Sequence, residues 1–275
     1  MTRIAIFQST TGIDPARNAV ALTDAIAQAA SGGAEILFTP EMSGLLDRDA
    51  ARAAKVLREE GEDEVLSAVR EDAAKNKIWV HLGSLAVLVD DGKVANRSFI
   101  IDREGKVRAT YDKIHLFDVD LPTGESWRES NVYSPGRGAV LVNGTPIGKL
   151  GLTICYDLRF PGLFARLAES DADVIAVPAA FTVPTGKAHW HVLLRARAIE
   201  AGLFVVAAAQ VGHHEDGRNT FGHSLVIDPW GEILLDMGEE RGVGFADIDL
   251  SRISDVRSRI PALNHRRPIP DAVTL

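Results

Sequence analysis

Ser98-Phe99-Ile100-Ile101-Asp102-Arg103-Glu104-Gly105-Lys106-Val107 returns later in the chain as Ser224-Leu225-Val226-Ile227-Asp228-Pro229-Trp230-Gly231-Glu232-Ile233. In both stretches an apolar run ends in Asp, and a Gly three residues on opens a second run, which reads as a strand-turn-strand unit used twice. The surroundings repeat as well. Residues 4–8 read as a buried strand, and Asp14-Pro15 supplies an N-cap and a first-turn proline for a helix running to about Ser31, where Gly32-Gly33 stops it. Residues 35–41 form a second strand that Pro40 ends, which leaves Glu41 at a strand end. Val65, Leu66, Val69 and Ala73 give residues 62–76 a helical spacing, and this segment leads into a strand at 78–83.

Two hairpins follow: 85–89 with 97–102 around Asp90-Asp91-Gly92, and 139–142 with 147–154 around Asn143-Gly144. In the second half, 173–178 is a strand, 187–201 a helix stopped by Gly202, and 203–211 another strand. Trp190, Leu193, Leu194 and Ala198 form the sheet-facing side of that helix, with Arg195 and Arg197 opposite. Two like halves predict an α/β fold: a four-layer α-β-β-α sandwich of two mixed β-sheets with pseudo-twofold symmetry. One domain spans 1–275. Its end, 260–275, is an irregular C-terminal tail, because Pro261, Pro268 and Pro270 forbid regular structure, and it needs a groove or a partner subunit to cover it.

Composition narrows the function. A 275-residue chain with 46% hydrophobic residues can bury one large core, and no stretch is apolar enough to span a membrane or serve as a signal peptide, so a cytoplasmic protein is expected. A net charge of -8, with no Lys/Arg stripe among aromatics, argues against nucleic acid as a partner.

Cys155 is the only cysteine and stands where the apolar run Gly151-Leu152-Thr153-Ile154 gives way to Tyr156-Asp157-Leu158-Arg159-Phe160-Pro161. A lone cysteine is commonly a buried small hydrophobe, but a strand end is where α/β enzymes build their sites. As a nucleophile it needs positive charge or a base nearby. Lys113, in Tyr111-Asp112-Lys113-Ile114-His115-Leu116-Phe117-Asp118, reads either as a snorkelling surface lysine or as a buried cation, and Glu41 has the same ambiguity.

These three blocks, Phe38-Thr39-Pro40-Glu41-Met42 and the segments around Lys113 and Cys155, resemble in order the signature blocks of the nitrilase superfamily of carbon-nitrogen hydrolases. Glu129-Ser130, Pro178-Ala179-Ala180-Phe181, His189-Trp190, Arg195 to Glu200, Gly222-His223-Ser224 and His265-Arg266-Arg267-Pro268 extend the resemblance along most of the chain. The resemblance implies a Glu-Lys-Cys set at Glu41, Lys113 and Cys155, with a second glutamate at Glu129. Cys155 would attack an amide carbonyl, Glu41 would move protons, and Lys113 with the Tyr156 N-H would hold the oxyanion. Glu129 reads as an orienting group or a plain loop charge. Arg159 reads as a substrate-carboxylate or thiol partner, or as an ion pair within the elbow. Phe160, Ala180, Phe181 and His191 complete the substrate-binding candidates.

The chain looks most like the Nit branch, whose members act on ω-amides of α-keto acids or on deaminated glutathione. The resemblance also implies a homodimer, and the chemistry needs no cofactor. Two departures, His191 for a usual glutamate and Lys187 for a usual proline, bear on the acyl preference because that helix start borders the site in the family. Nitrile or carbamoyl-amide hydrolysis and a catalytically silent binding protein remain alternatives. No Gly-x-Ser-x-Gly, Walker A or dinucleotide fingerprint occurs. His213-His214-Glu215-Asp216 is not expected to bind a metal, since adjacent histidines in a strand point to opposite faces. An exposed thiolate of low pKa is expected to oxidise readily.

Overall fold

The computed structural model describes residues 1–89, 92–120, 124 and 126–274. Its first half comprises strands β1 (Thr2–Gln8), β2 (Ile36–Phe38), β3 (Trp79–Leu88), β4 (Val94–Ile101) and β5 (Val107–Asp112), with helices α1 (Pro15–Ser31), α2 (Ala50–Ala53) and α3 (Glu64–Asn76). A small ribbon, β6 (Asp118–Asp120) and β7 (Ser126–Arg128), leads into the second half. There β8 (Val140–Thr145), β9 (Gly148–Leu152), α4 (Pro161–Glu169), β10 (Val174–Ala176), α5 (Val183–Ala201) and β11 (Phe204–Ala207) follow. Then come β12 (Val211–His213), β13 (Asn219–Phe221), β14 (Leu225–Ile227), β15 (Ile233–Asp236), β16 (Gly242–Ile248) and α6 (Ser251–Arg259).

The two six-stranded sheets have the orders β16-β1-β2-β3-β4-β5 and β8-β9-β10-β11-β14-β15. Each holds three parallel strands, one antiparallel strand on the first side and two on the other. The halves therefore correspond strand for strand. The opening repeat is β4-β5 and β14-β15, and its aspartates do the same work: Asp102 Oδ1 accepts from Glu104 and Lys106 N-H, and Asp228 Oδ1 from Trp230 and Glu232 N-H.

Period-two alternation divides β1 and β2 between two cores. Ile4, Ile6, Ile36 and Phe38 join the core shared with the second sheet, whereas Ala5 and Leu37 meet Leu22 and Ile26 of α1 and Val65 and Val69 of α3. Trp190, Leu194 and Ala198 of α5 and Phe164 and Leu167 of α4 cover the second sheet, which completes the α-β-β-α layers. Each such Leu, Ile, Val or Phe side chain contributes about 1.5–3 kcal/mol on burial. α1 is capped by Asp14, which accepts from Ala16 and Arg17 N-H, and α3 by Asp63, which accepts from Leu66 N-H.

Several expected boundaries move. The segments at 78–83 and 85–89 are one strand, β3, with a register shift between Leu82 and Leu85. Of its hairpin turn, Asp90 and Asp91 lie outside the described residues. Asn143-Gly144 is not a turn but a bulge inside β8, with Gly144 at φ +75°, and the chain reverses at Pro146-Ile147. Thr145 secures that reversal: its hydroxyl donates to Gly148 O at 2.7 Å and accepts from Ile147 N-H at 3.3 Å. α5 starts at Val183 rather than at residue 187, because Pro184 suits a first turn. The expected strand at 203–211 ends at Ala207, and Val211 begins β12. Arg197 is not on the solvent face. It is buried, donates to Leu158 O and lies over Phe164.

Beyond Arg259 no helix or strand occurs among the described residues; Leu263 packs on the main core and Arg266 pairs with Glu169 at 2.9 Å. No described helix is long and apolar enough to cross a membrane.

Candidate active site

Glu41, Lys113 and Cys155 meet beyond the ends of β2, β5 and β9, at one end of the facing sheets. Each is fixed by backbone hydrogen bonds. Gln210 Nε2 donates to Glu41 O at 2.9 Å, while Lys113 N-H donates to Asn96 O at 3.0 Å and Gly136 N-H to Lys113 O at 2.8 Å. Cys155 N-H donates to Pro178 O at 2.8 Å, and the residue takes φ +49°, a sparsely populated region for anything but glycine. Asp157, fully buried below the turn, holds this conformation. Its carboxylate accepts from Ile154 N-H (2.9 Å), Tyr111 Oη-H (2.7 Å) and His115 N-H (3.1 Å), and His115 Nδ1 lies 2.7 Å away.

The Lys113 ammonium donates to Glu41 Oε1 at 3.0 Å and to both Glu129 oxygens at 3.1 and 2.9 Å. Glu41 Oε1 also accepts from Asn96 Nδ2 at 2.9 Å, and its Oε2 from Ala180 N-H at 2.9 Å. Glu129 is held in turn by Phe117 N-H at 2.6 Å and Asn96 Nδ2 at 3.3 Å.

Burial disfavours every charge here, yet the outcomes differ. Burial raises the Glu41 pKa, but the Lys113 ammonium and hydrogen bonds from Lys113 and Asn96 outweigh it and hold the carboxyl below its usual range. Burial lowers Lys113, but the charges of Glu129 and Glu41 raise it well above the usual lysine value. For Cys155, burial and then the Glu41 charge push the thiol well up, more than Lys113 and the Ala180 N-H lower it. The resting site thus pairs a neutral thiol with an ionised carboxylate. An exposed low-pKa thiolate, prone to oxidation, is not what the fold builds, since Cys155 is 8% exposed and its thiol is protonated.

These groups line one cavity of about 690 Å³. Met42, Leu45, Leu46, Val94 and Val132 give it an apolar patch, and Arg48, Arg159 and Arg218 also line it, the last paired with Asp216 at 2.6 Å. Tyr156, Ala180 and Phe181 line it, as expected. Phe160 does not: it stacks on His115 with ring centroids 3.6 Å apart and braces the elbow from behind. His191 and Lys187 are also outside the lining, because α5 begins earlier than the sequence suggests, so that Thr182 and Thr185 border the cavity in their place. Arg159 makes no carboxylate ion pair among the described residues, and its elbow partner is not Asp157; it lies over Tyr156 and Phe181 and contacts His189 Nδ1 at 3.3 Å.

Asn96 is the functional residue that sequence reasoning missed. It is 1% exposed and touches both glutamates, and in sequence it is one of three consecutive polar residues, Asn96-Arg97-Ser98, within β4, with nothing to single it out. Trp127, flanked by the guanidinium groups of Arg48 and Arg218 at 5.2 and 5.0 Å, is a second wall residue without a sequence signal. The histidines at 213 and 214 diverge: His213 meets Asn219, and buried His214 bonds Thr11 O and Thr220 Oγ1.

A sandwich of this topology with a cysteine, a lysine and two carboxylates at the strand ends defines a hydrolase of carbon-nitrogen bonds. The chain belongs to the carbon-nitrogen hydrolase family of the nitrilase superfamily, whose family model matches residues 3–258. It is 37% identical to the deaminated glutathione amidase of Yersinia enterocolitica over 273 residues, which cover 98% of this chain and 94% of that one. The crystal structure of Saccharomyces cerevisiae Nit3, a member of branch 10 of the superfamily, superposes with a TM-score of 0.86 at 27% identity, covering 97% of this chain and 96% of that one. A glutamate-to-glutamine mutant of the amidase from Nesterenkonia sp. AN1, showing Michael addition of acrylamide at its active site cysteine, gives a TM-score of 0.78 at 26% identity over 95% of this chain and 98% of that one.

Proposed function

We propose that this chain is an amidase in which Cys155 is the nucleophile, Glu41 the general base and acid, and Lys113 with the Tyr156 N-H the oxyanion site. The observation that carries this reading is the convergence of buried Glu41, Lys113 and Cys155 on one cavity, with the Lys113 ammonium 3.0 Å from Glu41 Oε1, the Glu41 pKa lowered and the Cys155 pKa raised. As the sulfur attacks the amide carbon, its proton passes to Glu41. Lys113 and the Tyr156 N-H, at the start of a 3₁₀ turn where no intrahelical acceptor exists, face the carbonyl oxygen as it becomes negative. Glu41 returns the proton to the departing ammonia or amine, and a thioester to Cys155 remains. Water, deprotonated by Glu41, then attacks the thioester; the acid leaves and the thiol regains its proton. Glu129 keeps Lys113 aimed between the carboxylates, and each oxyanion donor is worth roughly 3–4 kcal/mol of barrier.

The substrate is a small carboxylate-bearing amide of the ω-amide or deaminated-glutathione type, its carboxylate met by Arg159, whose guanidinium borders the cavity and pairs with no carboxylate among the described residues. Similarity to proteins named deaminated glutathione amidase supports the second of these. The chain acts as a single domain, in the cytoplasm, as a homodimer, without metal or cofactor in the reaction. The test is to mix wild type and Cys155→Ala with deaminated glutathione and a panel of ω-amides, and to follow amine or ammonia release and intact mass. Wild type should turn over and carry an acyl adduct at Cys155, and the variant should do neither; equal rates would remove the cysteine mechanism.

A further inference from the structure

A second group of chemistry-bearing side chains lies outside the cavity and is used by no step above. His191 on α5, His223 between β13 and β14, and Asp236 at the end of β15 each offer one ligand atom, all within 4.8 Å of one another. Asp236 joins the two imidazoles: its Oδ2 is 3.0 Å from His191 Nε2 and its Oδ1 2.9 Å from His223 Nδ1. The imidazole rings meet edge to face, with centroids 5.0 Å apart.

The group is held from behind. Gly238 N-H donates to Asp236 Oδ1 at 2.9 Å, which fixes the carboxylate plane. His223, at φ +54°, is pinned by its own N-H to Gly238 O at 2.7 Å and by Trp190 Nε1-H to its carbonyl at 2.8 Å. Phe221 stacks against His223 at 4.5 Å and screens that side from water. Outer contacts of this kind orient ligands before an ion arrives.

We propose that His191, His223 and Asp236 bind one divalent transition-metal ion of the zinc class, with water at the fourth position. Two imidazoles and a carboxylate suit such an ion at bond lengths of about 2.0–2.1 Å, which sets tetrahedral ligand atoms roughly 3.3 Å apart. The two Asp236 edges are already near that spacing, and small side-chain rotations close the third. On binding, each neutral ring turns a lone pair to the ion and carries its proton on the other nitrogen, while Asp236 exchanges two N-H contacts for one metal bond. The ion thereby ties α5 to β15 and to the entry of β14. It touches no reacting atom, so its role is structural.

The test uses full-length Cys155→Ala protein, which lacks the competing thiol, stripped with chelator. Zn²⁺ is titrated by calorimetry and Co²⁺ by visible absorption, in this background and with His191→Gln or Asp236→Asn added. One ion per chain, tetrahedral Co²⁺ bands and a Zn²⁺-dependent rise in melting temperature are expected; either added substitution should weaken binding by about tenfold or more and erase the bands. Absence of binding at millimolar ion, or equal affinity in variants whose circular dichroism matches the parent, would overturn the site.

Discussion

Glu41 and Cys155 set the pH response through opposite shifts. The active form needs Glu41 ionised and the thiol protonated. Glu41 is held below its ordinary value of 4.5, so its base function, and the stability its pairing with Lys113 contributes, is present above that pH and fades only as pH falls through the depressed pKa. Cys155 is pushed above its ordinary 9.0, so the proton needed at the sulfur is lost only beyond it. kcat/KM should accordingly be flat from about pH 5 to about pH 8.5, with limbs outside that window. A limb near neutrality, as a thiolate-imidazolium pair would give, would contradict the assignment. This is where residue types were informative and spacing was not. Physical reading alone left Glu41 and Lys113 divided between surface and interior, and only their recurrence within recognisable blocks put them together. Asn96 stayed hidden because a single amide in a strand has no signature until its neighbours are known.

The loops after β2 and β10, which carry Glu41 and the acceptor for Cys155, are set at their spacing by an element that supplies no catalytic group. Gly83 sits in the register shift of β3, and a Cβ there would fall far inside contact distance of the Thr39 and Pro40 carbonyl oxygens and 2.7 Å from Pro178 Cβ. Only glycine lets the three backbones approach so closely. Gly83→Ala should push the Glu41 loop away from the Cys155 elbow; with a displacement near one ångström, kcat/KM should drop by about a hundredfold. The overpacking should also cost roughly 1–3 kcal/mol of stability. Steady-state kinetics beside urea denaturation checks both, and wild-type kinetics would show that the loops are placed independently of β3. The β3 irregularity explains why the sequence divides it in two: a glycine inside an apolar run reads as a break until its partner strands are seen. Asn143-Gly144 misleads for the converse reason, since a residue pair that favours a tight turn serves equally well in a bulge.

At the scale of the molecule, each half supplies part of the site: Glu41 and Lys113 from the first, Cys155 and the Ala180 N-H from the second. The pseudo-symmetry was legible because the β4-β5 and β14-β15 turns need the same aspartate in the same place. Which sheet faces meet was not, since the central strands are apolar on both sides and period alone cannot rank two buried faces. The outer surface holds the remaining question. Ile199, Trp230 and Ile260 are 53%, 54% and 55% exposed around one shallow groove, beside Leu263 at the start of the tail. Apolar side chains grouped in this way on a charged surface mark an interface. If a second copy covers them, light scattering should give twice the chain mass, and Trp230→Glu with Ile260→Glu should shift the protein toward monomer while leaving the distant Cys155 cavity chemically intact. A wild-type monomer would contradict the homodimer, and a dimer untouched by the double substitution would move the contact to another face.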